Sequence, residues 1–243
     1  MTSSSPSAPA DGGRRILVLM GAAGAGKGTQ AAMLSERLGL PHLASGDLFR
    51  AALRDGTPLG ERAREYMERG ALVPDEITIE MVMAELAKPS AAHGAILDGF
   101  PRTVTQAQAL DATLERQGEK ISRLLYIDVP QEELVARLSG RWICPTCGTV
   151  YHDVADPPAV AGICDREGSR LIQRDDDRPE VVRARLAKQI PPMLEVLAHY
   201  ERKGVVSRID GNRPIDEVTA AIMDAVGLDG AAAAAAAHAK GAD

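Results

Sequence analysis

The stretch GAAGAGKGTQ, residues 21–30, is the most informative motif of the sequence. It fits the pattern G-x-x-x-x-G-K-[ST], except that Gly28 stands where the pattern has a hydroxyl, which follows one residue later at Thr29. In such a loop the glycines let backbone N–H groups close around phosphate oxygens, and the positive end of the next helix attracts the same anion. Lys27 can reach the outer phosphates. The stretch therefore predicts a nucleotide phosphate site.

The segments that flank this loop give it the context that the motif requires. The apolar run that ends at Met20 predicts a buried strand over residues 14–20. Residues 27–38 carry apolar side chains at helical spacing, which predicts a helix that starts within the loop. A glycine-rich turn with a surface lysine is the competing interpretation, and this strand-loop-helix order disfavours it.

Composition indicates one folded unit without general affinity for nucleic acid. The chain has 243 residues, 45% of them hydrophobic, so it can bury one sizeable core and carry inserted lobes. A net charge of −6 and an aromatic content of 3% disfavour a general nucleic-acid or membrane-surface binder. The sequence contains neither a long apolar run nor a secretory signal pattern. We expect a cytoplasmic protein and, because nothing suggests a shared interface, a monomer.

The two ends of the chain have little to bury. Residues 1–13 are mostly Ser, Pro, Ala and Gly, which predicts a disordered extension, with an organellar transit peptide as the weaker alternative. Residues 229–243 form an Ala-rich tail, whose alanines favour helix but offer little surface for packing. We assign neither end a function.

Strands and helices alternate along residues 14–228. After the first strand and helix, the patterns predict strands at 94–99, 124–129 and 205–209 and helices at 60–69, 75–88, 105–117, 130–138, 179–200 and 216–226. A bend is expected where Pro191-Pro192 falls inside the long helix. The alternation favours an α/β fold with a parallel sheet covered on both faces. Regular patterns lapse between residues 141 and 177, which predicts an inserted lobe.

Several further stretches, taken with the loop, resemble the adenylate kinases, which are P-loop nucleoside monophosphate kinases that exchange phosphate between ATP and AMP. These stretches are Ser45-Gly46-Asp47-Leu48-Phe49-Arg50, Asp98-Gly99-Phe100-Pro101-Arg102 with Gln106, Arg137-x-x-x-Arg141, and Arg174-x-Asp176-Asp177 with Arg185. The resemblance covers about residues 14–228. It implies a P-loop NTPase fold with a five-stranded parallel sheet wrapped by helices, an inserted AMP-binding lobe at about 44–74 and a lid at about 141–178.

The resemblance also implies an activity, the reversible transfer of a phosphoryl group from Mg-ATP to AMP to give two ADP. Such transfer depends mainly on positioning and charge neutralisation, and guanidinium groups bind phosphate in a bidentate manner. The expected catalytic set is Lys27, Arg102, Arg141, Arg174 and Arg185. These arginines, with Arg50, would form an unfavourable cluster of like charges if no phosphate or acid entered among them.

Each substrate has an expected set of contacts by the same resemblance. ATP is expected to contact Gly24, Ala25, Gly26, Lys27, Gly28, Thr29, Arg137 and Arg141, with Arg137 stacked on the adenine. AMP is expected to contact Ser45, Arg50, Gly99, Arg102, Gln106, Arg174 and Arg185, with Arg50 on the phosphate and Gln106 on the adenine edge, where an amide can both donate and accept. Asp98 matches the acid that holds magnesium through water. Ala23 departs from the family's usual proline, and Ser45 from its common threonine.

Three cysteines fall in the expected lid. Cys144-x-x-Cys147 and Cys164-x-x-Glu167 have the spacing of the zinc knuckle found in the lid of many adenylate kinases, where the fourth ligand is usually cysteine or aspartate. We expect structural zinc held by Cys144, Cys147, Cys164 and Glu167, with His152 as the alternative fourth ligand. A zinc-free lid held by hydrogen bonds and packing is the competing interpretation.

Other functions compete with this interpretation. A kinase for UMP, CMP or GMP is the nearest, and GTP as the donor also stays open. A zinc-ribbon nucleic-acid-binding module would need a basic, aromatic surface, which the composition disfavours. A regulatory P-loop protein that binds nucleotide without transferring phosphate would not require all of Arg102, Arg141 and Arg174.

Overall fold

The computed structural model of the chain describes residues 14–68, 73–173 and 177–227. Its strands are β1 (Arg15–Met20), β2 (His42–Ala44), β3 (Gly94–Asp98), β4 (Ile121–Asp128), β5 (Arg141–Ile143), β6 (Val150–His152) and β7 (Val206–Asp210). Its helices are α1 (Lys27–Leu38), α2 (Ser45–Arg54), α3 (Pro58–Glu68), α4 (Asp75–Leu86), α5 (Val104–Arg116), α6 (Gln131–Ser139), α7 (Pro179–Glu201) and α8 (Ile215–Ala225). The predicted extension 1–13, the tail 229–243, Arg174 and Asp176 lie outside the described residues.

Five of the strands form one parallel sheet in the order β2-β3-β1-β4-β7. The sheet has β1 at its centre, between β3 and β4. Because parallel strands share one carboxyl edge, the loops after β1 and β3 emerge side by side, where open α/β sheets bind their ligands. The predicted fold class, a five-stranded parallel sheet wrapped by helices, is confirmed.

Alternate residues of β1 enter two separate cores. Leu17 and Leu19 pack with apolar side chains of α1, α6, α8 and the start of α7. Ile16 and Val18 face the opposite side and pack with α4, α5 and the end of α7. This alternation explains why β1 is a continuous apolar run, since both of its faces are buried. None of the described helices combines the length and apolarity that a membrane span needs.

Two smaller clusters lie apart from the sheet. One joins α2, α3 and α4 through Phe49, Ala63 and Met81. The other lies in the segment between α6 and α7, where β5 and β6 form a short antiparallel pair around Tyr151 and Leu171. Each cluster gives its segment packing contacts of its own, separate from those of the two large cores.

The structure differs from the sequence prediction at several element boundaries. β4 begins at Ile121, three residues before the predicted start, although Ser122 and Arg123 are polar. The Ser122 hydroxyl accepts a hydrogen bond from the Ile16 backbone N–H at 3.1 Å, so a polar residue takes part in the ladder at this irregular point of the β1–β4 register. The long helix α7 has Pro191 and Pro192 inside its 23 residues and continues beyond them to Glu201.

Candidate active site

The phosphate loop lies at the carboxyl end of β1 and leads into the first turn of α1. Gly24 and Gly26 have φ values of 87° and 88°, a left-handed conformation that glycine adopts without strain. The Ala22 carbonyl accepts hydrogen bonds from the Ala25 N–H at 3.2 Å and from Lys27 Nζ at 3.0 Å, which closes the loop on itself. The N–H groups in the first turn of α1 have no acceptor within the helix and are suited to an anion.

Several charged groups converge on Lys27. Burial has the largest effect on the pKa of the Lys27 ammonium and lowers it. The Asp98 carboxylate, at the end of β3, raises that pKa, whereas the guanidinium groups of Arg102 and Arg185 lower it further. Burial also lowers the pKa of Arg102, and Asp98 again opposes the shift. Three of the predicted catalytic cations, together with Asp98, the predicted magnesium ligand, therefore lie close enough to influence one another's charge.

The Asp98 carboxylate is oriented by a histidine. His42 Nε2, at the start of β2, lies 3.3 Å from Asp98 Oδ2, and both side chains are largely buried. A Cβ built on Gly28 would lie 4.0 Å from the same oxygen, so the carboxylate faces the first turn of α1. Asp98 thus lies beside the first turn of α1, where its carboxylate can hold water bound to a magnesium ion.

The Gly99 carbonyl holds two side chains expected to contact AMP. It accepts hydrogen bonds from Ser45 Oγ at 2.9 Å and from Arg102 Nε at 2.7 Å. Gly99 has a φ of 74°, and a Cβ there would come within 2.8 Å of Arg102 Nη2 and 2.9 Å of Ser45 Oγ. The position therefore requires glycine both for its backbone conformation and for space.

Gln106 lies in the first turn of α5 and is buried. Its Oε1 accepts a hydrogen bond from the Arg102 backbone N–H at 2.7 Å, and its Nε2 donates to Asp75 Oδ1 at 2.7 Å. The second oxygen of Asp75 accepts from the hydroxyl of Thr103, the N-cap of α5, at 2.8 Å. These contacts join the predicted base-binding amide directly to the predicted catalytic Arg102.

Three other predicted arginines each have a carboxylate partner. Arg50 pairs with Asp47 on the exposed start of α2. Arg137 Nε donates to Glu133 at 2.9 Å, and its Nη2 donates to the Gly211 carbonyl at 3.1 Å. Arg141 forms a bidentate pair with Asp177, whose side chain is completely buried. A phosphate that reached Arg50 or Arg141 would have to exchange with these acids.

The three cysteines of the segment predicted to form the lid come together with Glu167. One ligand atom from each of Cys144, Cys147, Cys164 and Glu167 can be chosen so that all four lie within 4.8 Å of one another. Cys144 Sγ lies 2.6 Å from Glu167 Oε1, and the Sγ atoms of Cys147 and Cys164 are 3.6 Å apart. Hydrogen bonding to the Tyr151 hydroxyl is the main influence that lowers the pKa of Cys164 to about 7. Three thiols and one carboxylate form a donor set that suits zinc.

The two halves of this cluster have the same backbone design. In each half, the N–H of the glycine after the second ligand donates to the carbonyl of the first cysteine: Gly148 to Cys144 at 3.0 Å and Gly168 to Cys164 at 2.9 Å. His152 lies outside the cluster, and its Nδ1 accepts from the backbone N–H groups of Val154 and Ala155 at 3.1 Å. The structure therefore places Glu167, rather than His152, beside the three cysteines.

The chain is similar to known proteins along most of its length. A family model described as adenylate kinase matches residues 19–205. An adenylate kinase of Oceanobacillus iheyensis is 51% identical over 202 residues, which cover 83% of this chain and 94% of that protein. Adenylate kinases of Exiguobacterium sibiricum and Staphylococcus epidermidis are 50% and 47% identical over 87% and 86% of this chain, and over 98% and 97% of their own lengths. The chain belongs to the adenylate kinase family. It is a nucleoside monophosphate kinase, as its motifs predicted.

Sequence reasoning missed three partners of the adenylate kinase motifs. His42, for which the sequence indicates no partner, contacts Asp98. Asp75 was assigned only to a helix start, yet it binds Gln106. Asp177 was noted only as part of a motif, and its bidentate contact with Arg141 was not foreseen. These pairs join residues 56, 31 and 36 positions apart, so no local spacing could have identified them.

We expect Gly99→Ala to lower the kcat/KM of this adenylate kinase at least about tenfold, because the added methyl displaces Arg102 and Ser45. Gly118→Ala is the matched control. Gly118 has a similar φ of 71°, but nothing lies within 4 Å of a Cβ built there, so it carries the same backbone strain without the displacement. Steady-state kinetics check the expectation, and equal losses in the two variants would contradict it.

Proposed function

We propose that this chain transfers a phosphoryl group reversibly from Mg-ATP to AMP, giving two ADP. The observation that carries the proposal is the convergence of Lys27, Arg102, Arg185 and Asp98 beside the phosphate loop. Cations held this close together repel one another, and the charge of a polyphosphate offsets that repulsion. The phosphates that take part in the transfer carry negative charge, which this cluster of cations can offset.

The donor side of the proposed site is the loop with its neighbouring helices. Backbone N–H groups of residues 24–29 and the Lys27 ammonium bind the phosphates of ATP. Arg137 stacks on the adenine, at the point where its guanidinium already bridges α6 and the Gly211 carbonyl. The lid, residues 141–178, closes over the donor. As it closes, Arg141 gives up part of its bidentate contact with Asp177 and binds phosphate instead. Arg174, outside the described residues, is proposed to act with it.

The acceptor side of the proposed site is built around Arg102. Arg102 and Arg185 bind the AMP phosphate and the transferring group, and Arg50 reaches the same phosphate from α2 within a lobe of about residues 44–74. Ser45 and Gly99 shape the pocket through their shared hydrogen bond. Gln106 offers the adenine edge a donor and an acceptor. Arginine suits these positions because its planar fork matches phosphate oxygens.

Magnesium fits the proposed site at Asp98. The carboxylate faces the start of α1 and is oriented by His42. Oxygen ligands with retained water are what magnesium prefers, and Asp98 would hold the ion through such water. When bound, the ion would neutralise charge on the phosphates. The chain itself supplies no covalent nucleophile, so its work is to position the substrates, neutralise their charge and exclude water.

We also propose that the lid holds one structural zinc ion through Cys144, Cys147, Cys164 and Glu167. The support is the closeness of the four ligands and the repeated backbone design of the two halves. The ion would fix the lid as a rigid unit, so that closure about Gly140 and Pro179 moves it as one body. We further propose that the protein is a monomer and that it acts in the cytoplasm.

The first test offers the protein Mg-ATP with AMP, GMP, CMP or UMP and follows diphosphate formation. We expect transfer with a preference for AMP. A preference for CMP or UMP would overturn the acceptor assignment, and no transfer at all would overturn the activity.

Arg102→Ala is expected to lower kcat by about 10²–10³ while remaining folded, because the variant lacks the guanidinium charge that stabilises the transferring phosphate. Arg116→Ala, on the exposed end of α5, is its control and should keep full activity.

The second test measures metal content. Protein purified without chelator is expected to contain about one zinc per chain. Glu167→Ala should lose most of that zinc, whereas His152→Ala should retain it because His152 lies outside the cluster. A zinc content near zero in the unaltered protein would refute the zinc site. Loss of zinc only in His152→Ala would show that His152, not Glu167, is the fourth ligand.

A further inference from the structure

The Gln106 carboxamide is held at both of its ends. Its Oε1 accepts from the Arg102 backbone N–H, and its Nε2 donates to Asp75 Oδ1, each at 2.7 Å. The other oxygen of Asp75 accepts from the Thr103 hydroxyl at 2.8 Å, and that hydroxyl in turn accepts from the Gln106 backbone N–H at 3.2 Å. One acid at the start of α4 therefore contacts both the amide and the cap of the helix that carries it.

These two partners permit one orientation of the amide. A carboxylate can only accept hydrogen bonds, and a backbone N–H can only donate. Turning the amide over would place Gln106 Oε1 against the carboxylate of Asp75 and Gln106 Nε2 against the N–H of Arg102. Both contacts are repulsive, and Gln106 is only 4% exposed, so water cannot relieve them.

The fixed amide leaves a defined hydrogen-bonding pattern for a ligand. A carboxamide has two N–H donors and two acceptor positions, and the described residues use one of each on Gln106. The remaining pair is complementary to adenine, which accepts at N1 and donates from its 6-amino group. Hypoxanthine presents the reverse pattern, a donor at N1 and an acceptor at O6. An amide that could turn over would pair with either base.

We propose that Asp75 is a positioning residue that fixes the orientation of Gln106 and so makes the acceptor site prefer AMP over IMP. This inference rests on the proposed function, in which Gln106 contacts the base of the acceptor. Asp75 does not need to touch the substrate. It acts through Gln106, because it permits only one orientation of the Gln106 amide.

The test compares AMP with IMP as acceptors in wild type and Asp75→Leu. Leucine removes both acceptor oxygens while keeping a side chain that branches at Cγ. We expect the ratio of kcat/KM for AMP to that for IMP to fall at least about tenfold, mainly through a higher KM for AMP, with the KM for ATP unchanged. A contribution of Asp75 to folding alone would affect both acceptors equally and leave this ratio intact.

Two further variants sharpen the test. Asp75→Asn keeps one oxygen that can accept from Gln106 Nε2, and its own amide can donate to Thr103, so it should restore the AMP-to-IMP ratio to within about threefold of wild type. Glu80→Gln changes another acid of α4, which pairs with Arg62 on the surface, and should leave the ratio unchanged. If Asp75→Leu does not fold, Asp75→Ala removes the same two acceptors.

The outcomes separate this inference from the activity on which it rests. A wild-type protein that does not phosphorylate AMP refutes the proposed function. A wild type that prefers AMP, together with a folded Asp75→Leu or Asp75→Ala protein that keeps the same AMP-to-IMP ratio, refutes the positioning role of Asp75 and leaves the activity standing.

Discussion

Several positive charges lie close together at the carboxyl edge of the sheet, and their mutual repulsion is the constraint under which the candidate site is built. Burial and the neighbouring guanidinium groups of Arg102 and Arg185 lower the pKa of Lys27, which means that folding disfavours the charged ammonium. Asp98 offsets part of this effect. The remaining imbalance is best relieved by an anion with several charges, which is what a nucleoside triphosphate bound to magnesium supplies. The site therefore favours its ligand at some cost to the stability of the free protein.

The fold makes this arrangement possible because each charge comes from a different rigid element. Lys27 begins α1 after the central strand, Asp98 ends the neighbouring strand, and Arg185 lies on α7, which packs into both large cores. The peripheral arginines differ, since Arg50 and Arg141 lie outside the central sheet and pair with acids of their own. Lys27 and Arg185 are thus held by core elements, whereas Arg50 and Arg141, which lie in the segments predicted to form the AMP lobe and the lid, are paired with acids.

The sequence predicted those elements whose conformation depends on residues close to one another along the chain. The loop and α1 fall at the predicted residues, because glycine conformations and helical periodicity are properties of neighbouring positions. The order of the sheet and the start of β4 depend on pairing between distant strands, which periodicity does not record. The contacts His42–Asp98 and Asp75–Gln106 have the same origin. The sequence of the predicted lid does contain a signal for Glu167 as the fourth ligand. Gly148-Thr149 follows Cys147, and the similar pair Gly168-Ser169 follows Glu167, whereas no such pair follows His152.

In the free protein the phosphate site holds clustered positive charge, and we expect its nucleotide to relieve the resulting repulsion. The most direct measurement is the free energy of unfolding of wild type and Lys27→Met, each with and without Mg-ATP. Because the substitution removes a buried charge, we predict that Lys27→Met is at least as stable as wild type without nucleotide, and that Mg-ATP stabilises it far less. A Lys27→Met protein that is less stable without nucleotide, and that Mg-ATP stabilises as strongly as wild type, would contradict the account.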